Sequence, residues 1–168
     1  MENYIIINGK KAELTEEQLK QLGIEVEEKR NNPFKRHSNE RYWFINTMGA
    51  SVGSHDNNNN FDNDMYNKIN YFNDYKFAKQ VALHQLLYRK LLKYAWDNEA
   101  EDYDEWDNDH KLHYYIIRDK RYHDRYVVTY SDYLKDSSTA YFSKKGVAEN
   151  AIEDIVKPFM KEHPEFVW

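Results

Sequence analysis

Two stretches seventy residues apart carry the same pattern. YFNDYKFAKQVA at 71–82 and YFSKKGVAENAI at 141–152 set Tyr71 and Phe72 on Tyr141 and Phe142, Asn73 on Ser143, and Ala78 on Ala148. In each copy the polar residue after Tyr-Phe can cap a helix. The Phe before it can staple against Phe77 or Val147 at the fourth helical position. Upstream lie RYWFI at 41–45 and HYYII at 113–117, aromatic runs that suit strands. Tyr42 precedes Tyr71 by twenty-nine residues, and Tyr114 precedes Tyr141 by twenty-seven. Each unit therefore reads as strand, loop or hairpin, strand ending in Tyr-Phe, then helix. The pattern predicts an α+β fold: two pseudo-repeated strand-or-hairpin-plus-helix units in one domain, with helices on one sheet face. A dimer-like pair of half-domains is the other arrangement it allows.

The first predicted helix keeps an apolar stripe through Phe77, Val81, Leu83, Leu86, Leu87, Leu91, Leu92 and Ala95 to Trp96. The second runs from Lys144 to about Lys161 and tolerates Pro158 only with a kink or break. The aromatic end HPEFVW can tuck against the body. Residues 1–24 read as a small ββα head. Asn8-Gly9 forms a hairpin turn, Thr15 and Gln18 a capping box, and Gly23 a helix stop. Residues 25–40, charged and holding a Pro, read as a linker whose Lys29, Arg30, Lys35 and Arg36 are solvated. The α+β domain then spans 41–168, with repeats at 41–96 and 111–163 joined by an acidic connector, 97–110.

Composition excludes several functions. A chain of 168 residues without cysteine has no disulfide framework, thiolate metal site or cysteine nucleophile, which suits a cytoplasmic setting. No apolar run approaches a membrane span, and the N-terminus lacks a signal-peptide pattern. A net charge of −5 argues against a protein whose main task is coating DNA. Five glycines leave no Gly-rich phosphate loop, and no serine stands in a nucleophile-elbow context.

The loop SHDNNNNFDNDMY at 54–66 is oxygen-rich, as calcium prefers, but lacks the central Gly and twelfth-position Glu of an EF-hand. It reads as a polar loop. His110 and His113 beside Asp107 and Asp109 suggest zinc, yet a spacing of three on a strand turns the rings to opposite faces. They, and His123-Asp124 in the following turn, read as ordinary exposed groups, and His84 as a packed or surface residue of its helix. No metal, cofactor or catalytic residue is assigned, and a non-enzyme is expected.

Two surfaces remain. WDNEAEDYDEWDND at 96–109 holds eight carboxylates in the thirteen positions after Trp96, and no Lys or Arg. Asp97, Glu99, Glu101, Asp102, Asp104, Glu105, Asp107 and Asp109 can compete with phosphates for a basic partner surface, with Tyr103 and Trp106 as anchors. A plain solvated connector is the alternative. The segment 111–133 instead offers Arg118, Lys120, Arg121 and Arg125 among tyrosines, a combination that can hold single-stranded nucleic acid.

Taken together, YIIINGKKAELTEEQLKQLGI, NPF, RYWFINTMGASVGS, NYFNDYKFAKQVALHQLLYRKL, YFSKKGVAENAIEDIVKPFMKEHPEF and the terminal Trp resemble small accessory proteins of Firmicutes phages and prophages. The resemblance implies an intracellular phage accessory protein and carries no catalytic motif. In that context the expectation is a non-enzymatic inhibitor of a host defence factor, anti-CRISPR action on a CRISPR–Cas effector or its nucleoprotein complex included. A phage replication or recombination protein that binds nucleic acid through 111–133 is the rival, and a self-assembling structural protein a third reading.

Overall fold

The chain forms two units, Met1–Asn32 and Pro33–Trp168. The computed structural model describes residues 4–7, 10–15, 18, 21–22, 32–102, 111–121, 125–132 and 135–168. In the first unit, β1 (Tyr4–Ile7) and β2 (Lys10–Glu13) pair antiparallel, with Ile7 opposite Lys10. That leaves two residues for the turn, the length of a tight hairpin; Asn8, Gly9 and Gly23 lie outside the described residues. The capping box forms reciprocally. Gln18 N–H donates to Thr15 Oγ1 at 3.3 Å, and Thr15 N–H donates to Gln18 Oε1 at 2.9 Å.

The second unit is α+β and contains two hairpins. β3 (Arg41–Ile45) pairs with β4 (Ser51–His55), and β5 (His113–Asp119) with β6 (Arg125–Ser131). Each hairpin is widened by a Tyr-Phe segment. Trp43 and Phe72 exchange backbone hydrogen bonds of 2.8 Å, and Tyr114 and Phe142 exchange bonds of 2.9 and 2.7 Å. A further strap lies along each Tyr-Phe segment: Asn73 N–H donates to Pro33 C=O at 2.8 Å, and Ser143 N–H to Ala100 C=O at 2.9 Å. This pairing matches Trp43 with Tyr114, and so Tyr42 with His113. Spacing alone had suggested Tyr114 as the partner of Tyr42, one residue away.

The straps correct two expectations. Residues 33–40 are not linker. Phe34 packs on Phe72 and Phe77, at ring distances of 5.4 and 5.3 Å, and Arg36 is bound to Asp56 rather than solvated. Residues 25–31 of the expected linker lie outside the described residues. Likewise Ala100, fully buried, and Glu101, bridged to Phe142, make the start of the acidic stretch part of the sheet rather than a connector.

Between β4 and Tyr71 the chain makes helix α1 (Asn60–Asn67), where a loop was expected. Its capping box is the cause: Asn59 Oδ1 accepts from Asp62 N–H, and Asp62 Oδ2 accepts from Asn59 N–H. Helix α2 (Tyr75–Asp97) is capped by Asp74, whose side chain accepts from Phe77 N–H at 2.8 Å. Asn73, the expected cap, is spent on the strap, its side-chain amide donating to Lys35 C=O. Ser143 gives its backbone N–H to the other strap, and Lys144, with no side-chain cap bond, stands at the N-cap of α3 (Lys145–Ala151).

A π-helical stretch, Ile152–Val156, follows α3, and α4 (Lys157–Glu162) begins beside Pro158. The wider turn ends where the ring arrives. Pro158 therefore sits in a first turn, where its missing N–H costs least. Leu87, Leu91 and Ala95 of α2 share one core with Ile116, Phe142, Ala148, Val156, Phe159 and Phe166. The C-terminal tail is tied down by Gln80, which donates to Glu165 C=O and accepts from Val167 N–H. Among the described residues no helix is long and apolar enough to cross a membrane.

Candidate partner-binding cleft

Successive strand residues alternate between faces, so Tyr42 and Phe44 share one face of the first hairpin. That face is filled. Tyr42 stacks on Tyr71 with ring centroids 4.2 Å apart, and its hydroxyl donates to Asp62 at 2.8 Å. Phe61 of α1 meets Phe44 edge-on at 5.3 Å, and Tyr66 meets Tyr71. The strap closes the rest. Arg36 Nε donates to Asp56 Oδ2 at 2.6 Å and one terminal nitrogen to Oδ1 at 2.8 Å, with the guanidinium 5.6 Å from the Tyr66 ring centre. Asn63 and Asn58 each accept one further guanidinium N–H. This guanidinium, the Asn58 N–H and Tyr71 hold the buried Asp56 carboxyl down at about 2. Burial, with Asp62 accepting its proton, pushes Tyr42 up to about 12.

On the second hairpin the matching residues are His113 and Tyr115. His113 is buried, with Nδ1 2.5 Å from Asp102, which corrects its reading as an exposed histidine. Only residues 132–140 separate β6 from Tyr141, whereas 56–70 separate β4 from Tyr71. Among the described residues no helix covers this face. Tyr115 and Tyr141, 5.2 Å apart, line a cleft of about 620 Å³ with Thr129 and Ser131 of β6 and the carboxylates of Asp132 and Asp136. A second cavity of about 310 Å³ shares Tyr115, Asp136 and Thr139 and extends to His84, Phe166 and Trp168. Asp136 is held ionised below its usual range by the Ser138 hydroxyl and N–H.

The cleft combines aromatic faces, hydroxyls and two carboxylates against one ammonium, Lys135. Such a surface can take an apolar stem ending in a positive charge. Sequence reading missed it, although the shorter second loop was visible as a count of residues.

The residues chosen from sequence scatter. Asp97 and Glu99 are exposed, and Asp97 pairs with Lys93. Asp102 is not a surface charge: its side chain is 1% exposed and committed to His113. Glu101 is half-buried, with Oε2 lacking a hydrogen-bond partner. Tyr103, Asp104, Glu105, Trp106, Asp107 and Asp109 lie outside the described residues, as do His110, His123 and Asp124. The oxygen-rich stretch weighed as a calcium loop and read as a polar loop is spent on structure, since Asp56 holds Arg36 and Asp62 holds Tyr42 and the Asn57 and Asn59 N–H groups. Of the basic set, Arg121 pairs with Asp119, Arg118 and Arg125 are engaged, and Lys120 is exposed. That set lies at the far end of the hairpin from the cleft: Asp119 faces Arg125 there, whereas His113 faces Ser131. No family model, curated protein or solved structure matches the chain.

Proposed function

We propose that this chain is a non-enzymatic binding protein, phage- or prophage-encoded, that acts in the host cytoplasm by inhibiting a defence factor. A CRISPR–Cas effector is the first partner class to try. The observation that carries the reading is the acidic cleft beside the half-buried Tyr115 of the second hairpin, which no helix covers among the described residues, where the first hairpin is filled by a helix. Effectors that grip nucleic acid present Lys- and Arg-rich surfaces, and an acidic aromatic cleft is complementary to these. The described buried carboxylates favour a non-enzyme, because Asp56, Asp62 and Asp102 are each spent on a structural partner. The finer architecture belongs to the same reading: the two hairpin-and-helix units are pseudo-repeats, supported by their like pairing to Phe72 and Phe142.

The test is capture from host lysate with the natural chain and with Asp132→Lys/Asp136→Lys, followed by inhibition of the captured effector. Loss of both capture and inhibition is expected in the variant. Retention of both refutes the cleft as the working surface. Binding of single-stranded DNA at low salt, abolished by Lys120→Glu/Arg121→Glu, would replace this reading with the nucleic-acid one.

A further inference from the structure

We infer that the other face of the first hairpin carries a separate site, a cavity for a small organic monocarboxylate with an apolar body. This inference does not rest on the role of the second hairpin's cleft. Ile45 points away from the filled face that holds Tyr42 and Phe44. There it and Phe72 border a cavity of about 390 Å³ whose far wall is helix α2. Val81, Gln85 and Arg89 stand four residues apart on one stripe of α2, so that wall grades from apolar to cationic along the helix. Phe34 closes the apolar end, its ring 5.4 Å from Phe72 and 5.3 Å from Phe77, one turn before Val81. The turn between β3 and β4 meets Arg89 at the other end.

Acids outnumber bases in the chain by 29 to 24, yet among the described residues no carboxylate lines this cavity, whereas Lys68 and Arg89 do. Lys68 has Asp64 3.9 Å away. Arg89 has neither an ion pair nor a hydrogen bond among the described residues, which leaves one positive charge unanswered and matches a single negative one. Its planar fork can take both oxygens of a carboxylate. The turn leaves room for that fork: Gly49 has a φ of +81°, and Arg89 Nη2 lies 2.7 Å from where a Cβ would stand. Asn46 and Asn70 are held by backbone partners, so the Thr47 hydroxyl and the Gln85 amide remain to orient a ligand. Ile69 is a second, independent sign. A β-branched residue at a φ of 55° is a genuine outlier, yet its apolar side chain lines the cavity and is 66% exposed. Backbone strain of this kind gathers at ligand sites, and here it presents an apolar group to the cavity rather than to the core.

The probe is phenylacetate, with phenylacetamide as its uncharged counterpart and phenyl phosphate as a dianion, each titrated into the ¹⁵N-labelled full chain at constant ionic strength. Saturable shifts at Thr47, Gly49, Ile69 and Arg89 are expected, with the acid about tenfold tighter than the amide, as a charge-assisted pair provides. Arg89→Gln should abolish that preference and leave the affinity for the amide unchanged, a pattern that loss of the fold does not produce. Ile69→Gly suits a positive φ and removes apolar contact, so it should weaken acid and amide alike by about threefold without lowering the thermal midpoint. Absence of saturable shifts, equal affinity for acid and amide, a preference retained in Arg89→Gln, or undiminished binding in Ile69→Gly overturns the inference. Tighter binding of phenyl phosphate than of phenylacetate also overturns it, because a dianion calls for two unanswered charges.

Discussion

The two hairpins of the second unit share a scaffold and differ in what lies on it. Both strands β3 and β5 pair with a Tyr-Phe segment, and both Tyr-Phe segments pair with a strap, so the buried Phe72 and Phe142 hold equivalent places. On the first scaffold an inserted helix and Arg36 fill the aromatic face. On the second, a loop six residues shorter (nine against fifteen) leaves Tyr115 without a helical cover among the described residues. Insertion length, rather than strand sequence, separates a face with a helix over it from one that no described helix covers. Filling has a cost, since Asp56 must be buried and its charge answered by one residue.

The sharpest break of the comparison is therefore Arg36→Met. It leaves Asp56 buried and unpaired, and removing one partner of such a pair costs about 3–5 kcal/mol. Urea unfolding should record a loss of that size, and Asp56→Asn on the same background should recover part of it. Indifference to Arg36→Met would mean that α1 alone holds the face, and the contrast between the hairpins would lose its main cause.

Acid should act through the same pair. The Asp56 carboxyl is held at about 2 against an ordinary 3.8. Its depressed value contributes stability that is fully present above 3.8 and is lost as pH falls through about 2. A gap of that size corresponds to roughly 2 kcal/mol. Denaturant midpoints taken between pH 4 and 2 should carry this slope in the natural chain and lose it in Asp56→Asn. An identical slope in both would assign the acid sensitivity to other carboxylates.

The acidic stretch can be divided by the same logic. Asp102→Ala leaves the buried His113 without its acceptor, a loss of about 1–3 kcal/mol. Asp97→Ala removes only an exposed pair with Lys93, worth at most about 1 kcal/mol. Equal effects on thermal midpoint would mean that the start of the stretch is uniform surface after all.

These contrasts also indicate what a sequence can disclose. The tight spacing of the first hairpin, the Thr15–Gln18 box and the break at Pro158 were legible because each is local chemistry within a few residues. The helix caps fell one residue late, on Asp74 and Lys144, because Asn73 and Ser143 serve a strap that only tertiary pairing creates. Arg36 looked solvated because its partner lies twenty residues away, and Asp102 looked exposed for want of His113. The cleft was least legible of all: it depends on residues missing between β6 and Tyr141, and a residue pattern records what is present.

The smallest expected effect concerns the wall where the cleft runs on toward the C-terminal tail. His84 meets Phe166 edge-on at 4.6 Å, and burial there lowers its pKa from 6.5, partly opposed by the Val167 backbone. A lowered histidine disfavours the charged form in the fold. Its contribution to tail docking is complete above 6.5 and shrinks as pH falls below that value, levelling off once the folded form also protonates. Asp136 lines the same cavity, and Glu165 is held low by Lys79, so neither titrates in this window. The indole N–H resonance of Trp168, whose ring packs 5.2 Å from Tyr126, reports the tail's position. It should move between pH 7 and 5.5 in the natural chain and stay fixed in His84→Gln, which cannot charge. A shift that persists in the variant would detach the tail from His84, and the wall of the open cleft would then be as insensitive to neutral pH as the filled face opposite it in the comparison.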